Sequence, residues 1–254
     1  MSTLHGFHDR ARAGLWHLLI SGLVALLAAA LVFLAWYPGA FRLMAGGRDL
    51  FLLVVGVDIV LGPLLTFVVF DRRKGWPHLR RDLAVIGALQ LAGLSYGLHT
   101  VYIVRPVALV FEVDRFRVLN ADAVREVELP KAAPDYRQLP LTGPWMLSVR
   151  AAQPGEEKNE ALFMALDGVD TSQRPTFWQP YELAREQVLA KSRPVALLKG
   201  RYPARAGEIT AALQPLGEGA AQARFLPVLA RGDWLAIVDG AGQPRAFLPL
   251  DGFF

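Results

Sequence analysis

The 254-residue chain contains no cysteine, which excludes disulfide frameworks, thiolate nucleophiles and cysteine-ligated metals. Histidine is scarce and segregated. All five, at positions 5, 8, 17, 78 and 99, precede residue 105. The 105–254 segment therefore has neither a Ser-His-Asp arrangement nor a His-ligated metal of its own. It also lacks a nucleophile elbow, a Gly-rich phosphate loop and an HExxH run. An enzyme is not expected, and no cofactor or metal is implied.

Net charge is also unevenly spread. Residues 1–104 carry nine Lys/Arg against five Asp/Glu, whereas 105–254 carry eighteen of each. The basic pI of about 9.6 thus belongs to the N-terminal part. A nucleic-acid partner would need a basic patch on the soluble part and is not expected.

Long apolar runs are what the chain has in excess. Gly14–Trp36, Leu50–Phe70 and Leu83–Val104 are each long enough to span a bilayer, for which about 20 residues suffice. The first run exceeds the roughly 7–15 residues of a signal-peptide core and ends in tryptophans, so it reads as an uncleaved anchor. Arg72, Arg73, Lys74, Arg80 and Arg81 crowd the loop between spans two and three, against only Arg42 and Arg48 between spans one and two. The positive-inside rule then puts the 71–82 loop and the N-terminus in the cytoplasm and everything after Val104 across the membrane. In a bacterium that compartment is the periplasm. The expected fold is a membrane protein: residues 1–104 form a bundle of three transmembrane α-helices, and 105–254 form a periplasmic α+β domain.

Within 105–254, Val107–Val113 and Phe116–Leu119 flank Asp114-Arg115 as a hairpin, with Leu109, Phe111 and Val113 on one face. Pro130, Pro134, Pro140 and Pro144 mark an irregular connection. Trp145–Ala151 reads as a strand, and Glu156–Leu166, Pro180–Lys191 and Ala206–Leu213 as helices. Phe225–Ala230, Trp234–Asp239 and Arg245–Leu250 close the chain as an antiparallel meander. Glu156, Glu157 and Glu160 read as a solvated helix start favoured by the helix dipole. Trp178 and Tyr181 read as core in preference to a binding cleft.

An aspartate inside an apolar span is costly, roughly 2.5–3.5 kcal/mol on insertion scales. Asp58 is one, and Asp58, Gly62 and Thr66 share a face of span two at four-residue spacing. Pro63 beside them frees the carbonyl one turn back. Span three offers Gly93-x-x-x-Gly97 together with Gln90, Tyr96, His99 and Thr100, and span one a small-residue stripe of Ser21, Ala25 and Ala29. Counting from the far-side ends puts Asp58 and Tyr96 at the same depth, about 12 Å. Two readings stay open: these groups lock the three-helix bundle, or the seam they line receives a client transmembrane helix. A lone acidic residue makes a proton pathway a poor third.

The run Asp58…Gly62-Pro63-Leu-Leu-Thr66, the basic loop with Lys74, Asp82-Leu83, Gln90, Tyr96-Gly97, Arg105-Pro106 and the Phe111…Asp114-Arg115-Phe116 hairpin resemble the type IV pilin accessory proteins, the TfpX/TfpZ-like group. The resemblance covers residues 36–118 well. It implies an inner-membrane protein of piliated bacteria that supports pilin handling and pilus assembly, with the major type IV pilin, other pilus assembly proteins and the lipid bilayer as partners. It carries over no catalytic residue. The expected function is a non-enzymatic, chaperone-like pilin partner. The alternative is a membrane-anchored periplasmic sensor or ligand-binding module, disfavoured by the short cytoplasmic segments.

Overall fold

A computed structural model describes residues 2–71 and 75–254. The basic residues Arg72, Arg73 and Lys74 lie outside the described residues. The chain divides into two units, 1–39 with 46–104 and 40–45 with 105–254.

The first unit is helical. α1 (Ser2–Ala30) runs on through Leu31–Trp36 with the wider i→i+5 bonding, Tyr37 N donating to the Val32 carbonyl at 2.8 Å. α3 is Gly47–Val69 and α4 is Trp76–Ile103, while α2, the short Phe41–Met44, belongs to the second unit. Among the described residues, three helices are long and apolar enough to cross a membrane. Their outward faces are almost wholly apolar: Leu26, Leu34, Leu53, Val60 and Leu89 are all exposed. In water such a surface would be costly; in lipid it is solvated by acyl chains. α3 is central, with α1 and α4 packed along it and touching each other little. At Gly97 α4 packs tightly on α3, since a side chain there would collide with Val54.

The second unit is built on an eight-stranded mixed sheet, so the α+β expectation holds. Its strands are β1 (Pro106–Glu112), β2 (Arg115–Asn120), β3 (Trp145–Val149), β4 (Trp178–Pro180), β5 (Arg193–Pro194), β6 (Arg224–Ala230), β7 (Gly232–Val238) and β8 (Pro244–Leu248). They lie in the order β4-β3-β1-β2-β6-β7-β8, with β5 pairing the start of β6. β1/β3 and β2/β6 are parallel and the other pairs antiparallel. The C-terminal meander matches its sequence reading within two residues at each end. β1 does not have the single buried face that was expected. It is central and covered on both sides, Leu109 and Phe111 in one cluster and Ala108 and Val110 in another. Val113 leaves the strand altogether. It sits exposed in the two-residue turn with Asp114 at φ +58°, a left-handed conformation that is strained for a β-branched residue.

Helices α5 (Glu156–Leu166), α6 (Arg185–Lys191), α7 (Ala196–Arg201) and α8 (Ala206–Leu213) complete the unit. The helix expected from Pro180 starts only at Arg185. Tyr181–Ala184 is a tight turn that drives the Tyr181 ring into the core beside Phe116. α2 also contributes: Met44 is buried in the same cluster, its carbonyl accepts from Arg231 N at 2.8 Å, and Phe41 meets the Phe247 ring at 6.0 Å. Residues 40–45 of the link between the first two spans thus belong to the second unit.

Candidate functional site

The site grows from the inward row of α3. Gly47, Phe51, Val55, Gly62 and Thr66 are buried at helical spacing, and Asp58 occupies the gap between Val55 and Gly62. The missing N–H of Pro63 leaves the helix unbroken through Val69. Here α1 comes close, a Cβ at Gly14 standing 3.3 Å from the Pro63 carbonyl oxygen. The facing row of α4 runs Ile86, Gln90, Gly93, Gly97 and Val101. Gln90 lies over Gly62, where any side chain would collide with its amide, and Gly93 leaves room for Asp58, whose Oδ1 is 3.8 Å from a Cβ placed there.

A hydrogen-bonded chain crosses all three helices. His17 of α1 has Nδ1 2.5 Å from the Thr66 hydroxyl and Nε2 2.5 Å from the Gln90 carbonyl oxygen; Gln90 Nε2 in turn donates to the Asp58 backbone carbonyl at 3.0 Å. The amide oxygen can only accept, so Nε2 carries a proton toward it, and the Thr66 hydroxyl, able to donate or accept, meets Nδ1. Each side chain of the chain thus has a partner, as a polar network in lipid requires. His17 was not singled out from the sequence. The signal was there in the small and polar row Gly14, His17, Ser21, Ala25 and Ala28 on one face of α1.

The side chain of Asp58 is not part of that chain. Among the described residues, no donor reaches its carboxylate. It faces a cavity of about 220 Å³ between α1, α3 and α4, with His17, Ser21 and Gln90 among its walls. Exposed Ile20 and Leu91 stand on the two sides of its α1–α4 opening. The gap between α1 and α4 is tied at one end by His17–Gln90. At the other, Tyr37 donates to the Val101 carbonyl at 2.8 Å and the Trp36 and Tyr102 rings meet at 5.1 Å.

The structure thus brings Asp58, Gly62, Thr66, Gln90, Gly93 and Gly97 together, with Pro63 alongside. It does not bring in Tyr96 and His99, which face outward, Tyr96 with 76% of its surface exposed. Equal-depth counting matched Asp58 with Tyr96. The helices instead close where Gly97 meets Val54 and Gly62 meets Gln90, and that fit puts Gly93, one turn from Tyr96, opposite Asp58.

The residues of the second unit singled out from the sequence do not line an opening of this kind. Trp178 and Tyr181 are core, Trp178 Nε1 donating to the Ser172 carbonyl at 2.8 Å and the Tyr181 hydroxyl to the Gly242 carbonyl; burial pushes the Tyr181 phenol up. The acidic start of α5 is engaged. Glu157 takes Arg150 at 2.6 and 3.0 Å and caps Gln153 N, which lowers its carboxyl to about 2, and Glu160 pairs with Arg174. Farther along α5, Leu162, Phe163 and Leu166 form an exposed apolar face. Among the described residues no group of three metal-ligating side chains converges.

Comparison with known proteins bears on this arrangement. The profile of the family described as fimbrial assembly protein FimB matches residues 5–46, the stretch that holds His17. Two fimbrial assembly proteins of Dichelobacter nodosus, of serogroups E1 and I, are 34% and 35% identical over 240 residues, 93% of either chain. A third, of serogroups C1 and C2, is 40% identical over 116 residues, 46% of this chain and 88% of its own. No solved structure matches. Similarity of that extent shows the family: the chain belongs to the fimbrial assembly proteins of the FimB type, a type IV pilus accessory family.

Proposed function

We propose that the protein is a non-enzymatic inner-membrane accessory of pilus assembly that holds the major type IV pilin by its membrane helix, in the manner of a chaperone. The observation that carries this reading is Asp58: a carboxylate at the midpoint of a membrane-length helix, facing a gap between two others, with no donor to it among the described residues. The relatives' names supply the process, fimbrial assembly. The apolar face of α5 supports a second contact, to the pilin's soluble part or to another assembly protein. In this reading the N-terminus and the basic 71–82 loop are cytoplasmic and 105–254 periplasmic, as the distribution of Lys and Arg favours.

A photo-crosslinking residue at Leu91, on the rim of the gap, tests the reading in cells. The expected product is an adduct with pilin, together with fewer surface pili when the gene is deleted. Normal piliation and an adduct pattern without pilin would refute it. A reporter active only in the periplasm checks the orientation: fused after residue 120 it should be active, and at Gly75 silent.

A further inference from the structure

The gap between α1 and α4 makes one chemical demand, and it is specific enough to describe its occupant. Asp58 lies midway along Gly47–Val69, about 16 Å from either end at ~1.5 Å per residue. Lipid headgroups do not reach that depth, and acyl chains have no hydrogen to donate. Its polar neighbours are committed: both ring nitrogens of His17, both ends of the Gln90 amide and the Thr66 hydroxyl are used within the three-helix chain. Among the described residues on the cavity wall, only the Ser21 hydroxyl is uncommitted.

Size narrows the choice further. The cavity of about 220 Å³ exceeds the ~150 Å³ that holds a benzene ring. One turn of helix, some 10 Å across and ~5.4 Å long, fills roughly 420 Å³. A side chain fits and a helix backbone does not.

We propose that this cavity is a socket for one long side chain bearing an N–H or O–H donor, presented near the bilayer centre by a partner transmembrane helix. The donor meets Asp58, with Ser21 beside it, while the partner's backbone stays outside and rests on Ile20 and Leu91. This deepens the proposed function and rests on its reading that the gap holds a client helix.

The test needs no pilin. The full-length protein is reconstituted in phosphatidylcholine vesicles with labelled host peptides of leucine and alanine that span the bilayer. One carries a single central glutamine, one leucine there, and one the glutamine moved two turns toward an end. Energy transfer should show the central-glutamine peptide binding about ten-fold more tightly than the other two, in line with measured membrane hydrogen bonds. Asp58→Leu should erase the preference, and Ala25→Phe, which fills the cavity from α1, should weaken binding of the glutamine peptide alone. Equal binding of the three peptides, as for a cavity filled by acyl chains, overturns the socket, and so does a preference that survives Asp58→Leu. The outcome separates from the pilin reading. Pilin adducts at Leu91 without peptide discrimination sink the socket and leave that reading standing. Discrimination without pilin adducts keeps the socket and removes pilin as its occupant.

Discussion

The two units treat an inward-facing carboxylate in opposite ways. In the second unit such a group is met from every side. Glu112 accepts from Thr171 and from Ser172 N and Oγ at 3.1 and 2.6 Å, with Arg117 beside it. Glu128 accepts from Arg174 at 2.8 Å and Thr176 at 2.6 Å, and Arg125 forms an ion pair with it at 3.1 Å. Both are over nine-tenths buried, and such packing is what a buried charge requires. In the membrane unit, where an unmet charge costs at least as much, His17, Thr66 and Gln90 satisfy one another and leave the Asp58 carboxylate out. The difference separates two roles that look alike in sequence. On the proposed reading, a charge that holds a fold together is surrounded by donors of its own unit, and one kept for a partner is not.

That comparison can be broken in order of expected effect. Glu128→Leu removes the buried one of the two carboxylates that pair with Arg174, whose Nη1 already lacks a hydrogen-bond partner among the described residues. A loss of about 3–5 kcal/mol is expected, seen as a fall of roughly 10 °C in the unfolding midpoint of the second unit. Glu128→Leu that unfolds like wild type would show that the buried charges are not structural, and the contrast would collapse.

Gln90→Leu cuts the chain across the three helices and leaves His17 Nε2–H without an acceptor. The expected cost is smaller, about 0.6–1.7 kcal/mol, the range of membrane hydrogen bonds, measured as thermal stability of the full chain in detergent. No change would move Gln90 from lock to socket.

Smallest is the exposed pair Arg150–Glu157. The hydrogen bond from Arg150 lowers the Glu157 carboxyl from 4.5 to about 2, so the folded state favours the ionised form. Its contribution is present above about pH 4.5 and is lost as pH falls toward 2. Glu157→Gln should therefore sit slightly below wild type in thermal midpoint at pH 7, and the two should converge at pH 2. A gap that widens with acid would invert the assignment.

Parts of this contrast were legible in the sequence. Asp58 announces itself, because an ionisable residue in twenty apolar ones is an anomaly of composition. The three spans and the closing meander follow from run length and alternation, which are local. His17 was missed because its role lies between helices: in its own helix it is one polar residue near a charged start. Tyr96 was placed in the seam by counting depth, and counting cannot see that two side-chain-free positions, Gly62 and Gly97, set where α4 touches α3. β1 looked one-sided because alternation within one strand says nothing about what packs on its second face, here the cluster that holds Ala108 and Val110, and α2 is too short to show a period at all.

Asp58 carries the central claim, and one paired measurement tests it: abundance and thermal midpoint of Asp58→Leu beside its recovery of crosslinked pilin. If the carboxylate serves a partner, the variant keeps its level and its midpoint, since leucine is favourable in lipid by a few tenths of a kcal/mol, while pilin recovery falls to background. A variant that loses stability as Gln90→Leu does, with pilin recovery merely following protein level, would make Asp58 part of the lock and contradict the account.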